Sequence, residues 1–150
     1  MKEEFNWNQP VIIVGILLER NGKFLFVKEA GGPDKGKWNL PAGKLDLGET
    51  IVAGAIRETL EETGYKCKIN GLLGIYRSTN NLTRYIFVFR AEIEGEVNKM
   101  ADDISDKRWF TKEEIMAMDN DTLRSPRWKE AIVDFEEGQN FSVEIIREIK

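Results

Sequence analysis

The chain has 150 residues, of which 41% are hydrophobic and 32% charged, and this composition is typical of one soluble globular domain over residues 1–150. It contains no histidine and a single cysteine, Cys67, which excludes internal disulfides, histidine metal ligands and histidine-based catalysis, and which fits a reducing cytoplasm. The net charge of −4 argues against broad binding to nucleic-acid polymers, and no apolar run is long enough to span a membrane.

The first predicted elements form a hairpin. Residues 1–10 lack the apolar core of a secretion signal, and residues 11–19 form an apolar, β-branched run that predicts a buried strand. Asn21-Gly22 favours a type I′ turn, and residues 23–28 read as the partner strand. A short strand is expected at residues 38–40, ended by a proline.

Residues 49–63 are the strongest helix candidate. Thr50 can cap the helix at its start, and Gly64 can end it in the left-handed conformation. Apolar spacing predicts a core face made of Val52, Ile56, Leu60 and Thr63.

The second half of the chain predicts further strands and two helices. Strands are expected at residues 72–77 and 84–92, joined by a polar loop at residues 78–83, and at residues 107–110. Strands interspersed with helices predict an α/β fold, with a mixed sheet between helical layers.

The two late helices have recognisable starts. Thr111 and Glu114 form a capping box for a helix through residue 118. Ser125-Pro126 is typical of a helix start, and Gly138 is expected to end that helix.

Three acidic residues form a stripe on the first helix. Glu61 and Glu62 lie about 60° and about 40° to either side of Glu58 around the helix axis. Like charges in the last turns before Gly64 repel each other and the negative end of the helix dipole. A divalent cation would turn this repulsion into coordination, and oxygen ligands favour magnesium or manganese. A solvated acidic face is the alternative interpretation.

The loop in front of this helix strengthens the metal-site hypothesis. Gly43 and Gly48 flank it, and such glycines let main-chain groups approach a metal or a phosphate. An ion pair between Arg57 and Glu49 could brace the loop against the helix. The alternative is a plain surface salt bridge.

These residues resemble a known signature. Gly43 is followed after five residues by Glu49 and, after seven more, by Arg57-Glu58-Thr59-Leu60-Glu61-Glu62-Thr63-Gly64-Tyr65. This spacing resembles the Nudix box of the MutT-like hydrolases. Thr59 and Tyr65 stand where that family usually places aliphatic residues, so the departures concern packing rather than ligands.

The resemblance implies a fold and an activity. The expected fold is the Nudix-type α/β/α sandwich with a mixed sheet. The expected reaction is water attack on phosphorus in a nucleoside diphosphate linked to another group, with Mg²⁺ as the cofactor and Mn²⁺ as a substitute. The segments at residues 108–115 and 123–126 are similar to a bacterial subgroup that acts on nucleoside tri- and diphosphates and on a thiamine-precursor pyrophosphate.

The resemblance also implies roles for the residues of the box. The side chains of Glu58, Glu61 and Glu62 are expected to bind the metal together with the Gly43 carbonyl. Either Glu58 or Glu62 is expected to deprotonate the attacking water, and Arg57 with Glu49 to form the bracing pair.

Candidates outside the box are less specific. Asp103 is expected to add a metal ligand, with Asp102 and Asp106 as rivals, and an exposed acidic loop is the alternative. Three basic residues on predicted strands are candidate phosphate contacts: Lys28, Arg77 and Arg84. Trp38 is expected to be a buried sheet residue rather than a platform for a base.

Two other functions are compatible with the sequence. One is a Nudix-like sensor that binds a nucleotide without cleaving it, and the other is an interaction domain whose acidic helix contacts a basic partner. The substrate class expected is a small nucleotide-like diphosphate, whose identity is read by loops. The oligomeric state is open, and a homodimer is the commonest assembly in general.

Overall fold

The computed structural model describes residues 9–80 and 82–149. Most of the stretch in which we found no secretion signal (residues 1–8), together with residue 81 in the predicted 78–83 loop and residue 150, lies outside the described residues. None of the described helices has the length and apolar character needed to cross a bilayer.

The first sheet is mixed and has four strands. Strands β1 and β7 run parallel, whereas β1 pairs with β5, and β7 with β6, in the antiparallel sense. From edge to edge the strands are β5 (Ala42–Lys44), β1 (Val11–Leu17), β7 (Arg84–Glu96) and β6 (Tyr65–Ser78).

The second sheet is antiparallel and is centred on β3. Its strands are β2 (Glu19–Arg20), β3 (Lys23–Glu29), β4 (Trp38–Asn39) and β8 (Ile104–Thr111). Asn21 and Gly22 both have positive φ, 53° and 77°, between the paired ends of β2 and β3. This confirms the predicted type I′ hairpin.

Three helices pack on these sheets: α1 (Ile51–Thr63), α2 (Lys112–Ala117) and α3 (Trp128–Glu136). Short 3-10 helices cover Asn120–Thr122 and Val143–Ile145. Alternating residues of β3 face opposite layers, because Phe24 and Phe26 pack with α2 and α3, whereas Leu25 packs on the α1 side. The mixed α/β sandwich predicted from the sequence is therefore confirmed.

The predicted ends of α1 are confirmed, and its predicted core face is confirmed only in part, because Thr63 is buried and Val52 packs against the core. Thr50 accepts a hydrogen bond from the Ala53 amide, and Gly64 ends the helix with φ 77°. Three of the four predicted core residues are only partly buried, and the buried face carries Gly54, Ala55, Thr59, Glu62 and Thr63. Gly54 lies so close to β1 that an added Cβ would meet Val14 at 3.1 Å, so a small residue is needed there.

The predicted start of the last helix is also wrong. Ser125 and Pro126 form a turn, in which the Ser125 carbonyl accepts from the Trp128 amide, and the helix begins at Trp128. Arg127 occupies the cap position without a side-chain hydrogen bond, and Gly138 follows the helix with φ 80° as expected.

Candidate active site

The three glutamates of α1 differ in exposure. Glu62 is buried, with 7% of its surface exposed, whereas the side chains of Glu58 and Glu61 are 14% and 52% exposed. Exposure therefore increases across the predicted stripe, from Glu62 in the protein interior, through Glu58, to Glu61 at the solvent.

Glu62 is fixed against the strand before the box loop. Its Oε2 accepts a hydrogen bond from the Ala42 amide at 3.1 Å, and its other carboxylate oxygen has no hydrogen-bond partner among the described residues. Burial, reinforced by the negative charge of Glu58, raises the pKa of Glu62 to about 9. Without a cation, this site thus favours a protonated carboxyl.

Glu58 lies directly beside Gly43. A side chain at position 43 would overlap the Glu58 carboxylate, so this close approach requires glycine. Burial raises the pKa of Glu58 as well, although a hydrogen bond from Arg57 acts in the opposite direction. The structure thus brings together Gly43 and Glu58, two residues of the box for which we predicted metal-binding roles.

Arg57 and Glu49 form the ion pair expected from the sequence. Nε and Nη2 of Arg57 donate to the two Glu49 oxygens at 2.7 and 2.9 Å, and Nη2 also reaches the Lys44 carbonyl. The hydrogen bonds from Arg57 lower the pKa of Glu49. The pair ties the end of the box loop to the middle of α1, and the contact with the Lys44 carbonyl holds the start of the loop.

The remaining nitrogen of Arg57 reaches the acidic stripe. Nη1 donates to Glu58 at 2.9 Å and to Glu61 at 3.2 Å. In the described part of the chain, no three acidic side chains stand together as a ready-made metal cluster. The donor chemistry still suits a hard divalent cation, because the site offers carboxylate oxygens and a close main-chain approach at Gly43. A cation would also stabilise the buried Glu62 as an anion, which burial alone disfavours.

The loop that carries Asp103 is attached to both ends of the site. The Ala101 amide donates to the Glu61 carbonyl, and the Asp103 carbonyl accepts from the Ala30 amide, each at 2.8 Å. The charge of Asp103 contributes to the raised pKa of Glu62, after burial and the larger effect of Glu58. Its rival Asp106 instead accepts from the Lys107 amide and lies 3.5 Å from Arg108.

Glu29 is a site residue that the sequence did not reveal. It ends β3 opposite Ile104, is only 12% exposed, and adds its negative charge to the surroundings of Glu62. A charged residue at the end of an apolar strand is the only local signal, and its closeness to α1 depends on the pairing of β3 with β8.

Of the three predicted phosphate contacts, Arg77 and Arg84 lie on the paired strands β6 and β7, one register position apart, whereas Lys28 lies on β3 of the other sheet. Lys28 is next to Glu29 and its ammonium lies 5.5 Å from the centre of the Trp38 ring. Arg77 is on the edge strand opposite β5, about three strand spacings of roughly 4.8 Å away. Nη1 of Arg84 faces the carbonyls of Asn80 and Leu82.

Trp38 is a core residue, as predicted. It is 9% exposed and packs edge to face on Phe110, with ring centroids 4.9 Å apart.

Known proteins share this sequence pattern and this fold. Residues 8–131 match the family model described as the NUDIX domain. The chain is 32% identical over 142 residues to "Phosphatase NudJ" of Escherichia coli (strain K12), which covers 92% of this chain and 91% of that protein. It is 35% identical over 107 residues to a "MutT-like protein" of Streptomyces ambofaciens, which covers 70% of this chain and 66%, just under two thirds, of that relative.

A solved structure agrees along almost the whole chain. A NUDIX hydrolase from Nitrosomonas europaea superposes with a TM-score of 0.88 at 30% identity, covering 94% of this chain and 98% of that one. The sequence signature, the acidic helix and the sandwich therefore have one common explanation. The chain belongs to the Nudix family of hydrolases, enzymes that use divalent metal ions to cleave nucleoside diphosphate derivatives.

Proposed function

We propose that this hydrolase uses Mg²⁺, with Mn²⁺ as a substitute, to cleave a phosphoanhydride bond in a nucleoside di- or triphosphate or in a nucleoside diphosphate linked to another group. The observation that supports this most is the burial of Glu62 beside Glu58, which raises the pKa of Glu62 to about 9. Two carboxylates held together out of water are costly to the fold, and a divalent cation offsets that cost.

The proposed ligands are the carboxylates of Glu58, Glu61 and Glu62 and the carbonyl of Gly43. Asp103 is proposed as a further ligand, because its loop is hydrogen-bonded to the end of α1. When bound, a magnesium ion neutralises charge on the diphosphate and makes water more acidic.

Before Glu58 and Glu61 can bind a cation, their hydrogen bonds with Arg57 have to break. The guanidinium is rigid and Nε and Nη2 keep both oxygens of Glu49, so the carboxylates of Glu58 and Glu61 rotate away from Nη1. The arginine then continues to brace the box loop. Either Glu58 or Glu62 accepts the proton of the attacking water.

Several finer assignments belong to the same proposal. The roles of Lys28, Arg77 and Arg84 as phosphate contacts stay predictions. A single domain over residues 1–150, a cytoplasmic location and a homodimer also stay predictions. The Escherichia coli relative is named a phosphatase, and its alignment along 92% of this chain supports a phosphate-bond substrate here.

A substrate panel tests the proposal. The protein is incubated with nucleoside di- and triphosphates, nucleotide sugars and a thiamine-precursor pyrophosphate, in Mg²⁺, Mn²⁺ or EDTA, and phosphate and pyrophosphate are quantified. We expect turnover that EDTA abolishes and that falls at least tenfold in Glu61→Gln and Glu62→Gln. Glu113→Gln, an exposed helical glutamate on α2, is the matched control.

Three outcomes would contradict this proposal. Full activity in both box variants removes the metal assignment. Tight nucleotide binding without any turnover supports a sensor. Failure to bind any divalent cation favours an acidic interaction surface instead.

A further inference from the structure

We propose that Arg124 binds an outer phosphate of the substrate, and that Glu29 is its exchangeable counter-ion in the free enzyme. This inference rests on the proposed function and extends it to the recognition of the diphosphate. It concerns a residue outside the Nudix box, in the segment between the Asn120–Thr122 turn and α3.

The main chain places Arg124 beside the acidic site. Its amide donates to the Trp38 carbonyl at 2.8 Å, next to the bridge between Trp38 and Leu123. From Trp38 the chain continues through β4 to Ala42, whose amide holds Glu62. Trp38 and Ala42 are four positions apart in the chain, which corresponds to about 13 Å of extended chain at most. An arginine side chain reaches across much of that distance.

The guanidinium faces acidic partners at the edge of this site. Nη1 donates to Glu29 at 2.9 Å, and Nε lies 3.2 Å from Asp34. Among the described residues Nη2 has no hydrogen bond, and the Arg124 side chain is 46% exposed. The arginine end of this pair is half-exposed, so another anion can reach the guanidinium from solvent.

Glu29 is held more firmly than Arg124. The same Oε1 accepts from the Asn39 amide nitrogen at 3.4 Å, and Asn39 accepts from the buried Trp128 indole at 2.7 Å. Glu29 is only 12% exposed. It is the last residue of β3 and directly precedes Ala30, whose amide donates to the Asp103 carbonyl. Of the two partners, Arg124 is therefore the one that can turn toward a ligand.

A phosphate is a better partner for this arginine than a single carboxylate. Guanidinium groups bind phosphate oxygens through two parallel hydrogen bonds, and the higher charge of a diphosphate strengthens them. Because Glu29 and Asp34 neutralise Arg124 in the free enzyme, the exposed cation attracts few other anions. Arrival of the metal-bound diphosphate supplies the competing anion.

Calorimetry of methylenediphosphonate, a non-hydrolysable diphosphate, in saturating Mg²⁺ tests the inference. We expect Arg124→Gln to weaken its binding about tenfold to a hundredfold, since a charged hydrogen bond is lost. Arg124→Lys should weaken it less. Glu29→Gln, which frees the arginine, should leave binding unchanged or tighter, and adding Arg124→Gln to it should remove that gain.

The matched control is Arg127→Gln, in the same segment, whose guanidinium faces the Arg77 carbonyl. Its binding should equal that of the original protein. The inference is overturned if Arg124→Gln binds normally, or if Arg124→Gln and Glu29→Gln are both weakened, since the pair would then only support the fold. Should Arg124→Gln unfold, Arg124→Lys decides, and binding equal to the original protein overturns the inference.

A separate titration with Mg²⁺ alone distinguishes the two proposals. If the original protein binds no Mg²⁺ and hydrolyses nothing in the panel, the proposed function has failed. If it binds Mg²⁺ and turns over substrate while Arg124→Gln behaves normally, only the role of Arg124 has failed.

Discussion

The main-chain amide of Ala42 donates a hydrogen bond to Oε2 of Glu62 across 3.1 Å, and this contact joins α1 to the strand before the box loop. It is the one hydrogen bond to this buried carboxylate among the described residues. One amide does not replace the water that the carboxylate has lost, so the metal-free site destabilises the anion.

The stability of the metal-free protein should therefore fall as the pH rises from about 4.5 to about 9. The folded protein keeps the Glu62 proton up to a pKa of about 9, because burial and Glu58 raise it from its ordinary value of 4.5. Between these values the folded state binds more protons than the unfolded state, so raising the pH favours unfolding. Urea unfolding in EDTA at several pH values measures the slope.

Magnesium and Glu62→Gln serve as the controls for this pH dependence. Saturating Mg²⁺ should flatten the slope, because the cation replaces the proton, and Glu62→Gln should flatten it without metal. The same slope in the original protein and in the variant would contradict the assignment.

Glu62→Gln should also separate stability from activity. At pH 8 Glu62 is ionised in the unfolded chain but keeps its proton in the fold, and the neutral amide avoids the cost of taking up that proton, so in EDTA the free energy of unfolding should rise by roughly 1–3 kcal/mol. Activity should fall at least tenfold, because a proposed ligand is lost. Glu61→Gln is the comparison. Its side chain is 52% exposed, so activity should fall while stability changes by less than about 0.5 kcal/mol.

Arg57 and Glu49 should act as one unit. The two-pronged contact at 2.7 and 2.9 Å needs a guanidinium, so Arg57→Lys should lower kcat about tenfold by loosening the box loop. Glu49→Gln should have a similar effect, and the double variant should be little worse than either. Asp46→Asn is the control, since Asp46 is largely exposed and lies 3.3 Å from Arg57. Additive losses in kcat would disprove the coupling.

The ends of α1 could be predicted, whereas its buried face could be predicted only in part. Thr50 and Gly64 act through their own main-chain neighbours, and such local effects are visible in the sequence. Which face is buried depends on how closely the helix approaches β1. Gly54 permits this approach, because an added Cβ would meet Val14 of β1 as well as Leu45 and Glu49, and no local pattern in the sequence reveals these contacts.

The start of β6 and the role of Glu29 were not predicted. Residues 65–69 alternate between buried or partly buried and exposed positions, so this part of β6 carried a strand signal in its sequence. Beyond Ile69 the pairing with β7 shifts register at Ile69/Gly71 and Leu72/Gly74, and these irregularities interrupt the alternation. Glu29 joins the site only through its pairing opposite Ile104, which no local pattern encodes.

Gly43→Ala should lower activity at least tenfold. The added methyl group would overlap the Glu58 carboxylate and displace a proposed ligand, so the binding of Mn²⁺ should weaken as well. Gly31→Ala is the matched control, because an added Cβ at that position meets open space. Normal Mn²⁺ binding in Gly43→Ala would show that Glu58 can move without loss.

Thr59 and Thr63 should respond in opposite directions to replacement by valine. Both are fully buried, but the Thr59 hydroxyl has no hydrogen-bond partner in the described structure, whereas the Thr63 hydroxyl donates to the Thr59 carbonyl and accepts from the Tyr65 amide. Thr59→Val removes an unsatisfied polar group, so the free energy of unfolding should rise by about 1 kcal/mol. Thr63→Val leaves the Tyr65 amide unpaired and should lower it by about 1–3 kcal/mol.

Urea unfolding with Mg²⁺ present measures both threonine variants, and the steady-state rate of Thr59→Val should stay near that of the original protein. This sign difference follows from hydrogen bonding alone, since the two substitutions are chemically identical and both residues are on α1. Equal destabilisation by the two valines would mean that the Thr59 hydroxyl has a partner, and that the family's usual aliphatic residue no longer fits this helix.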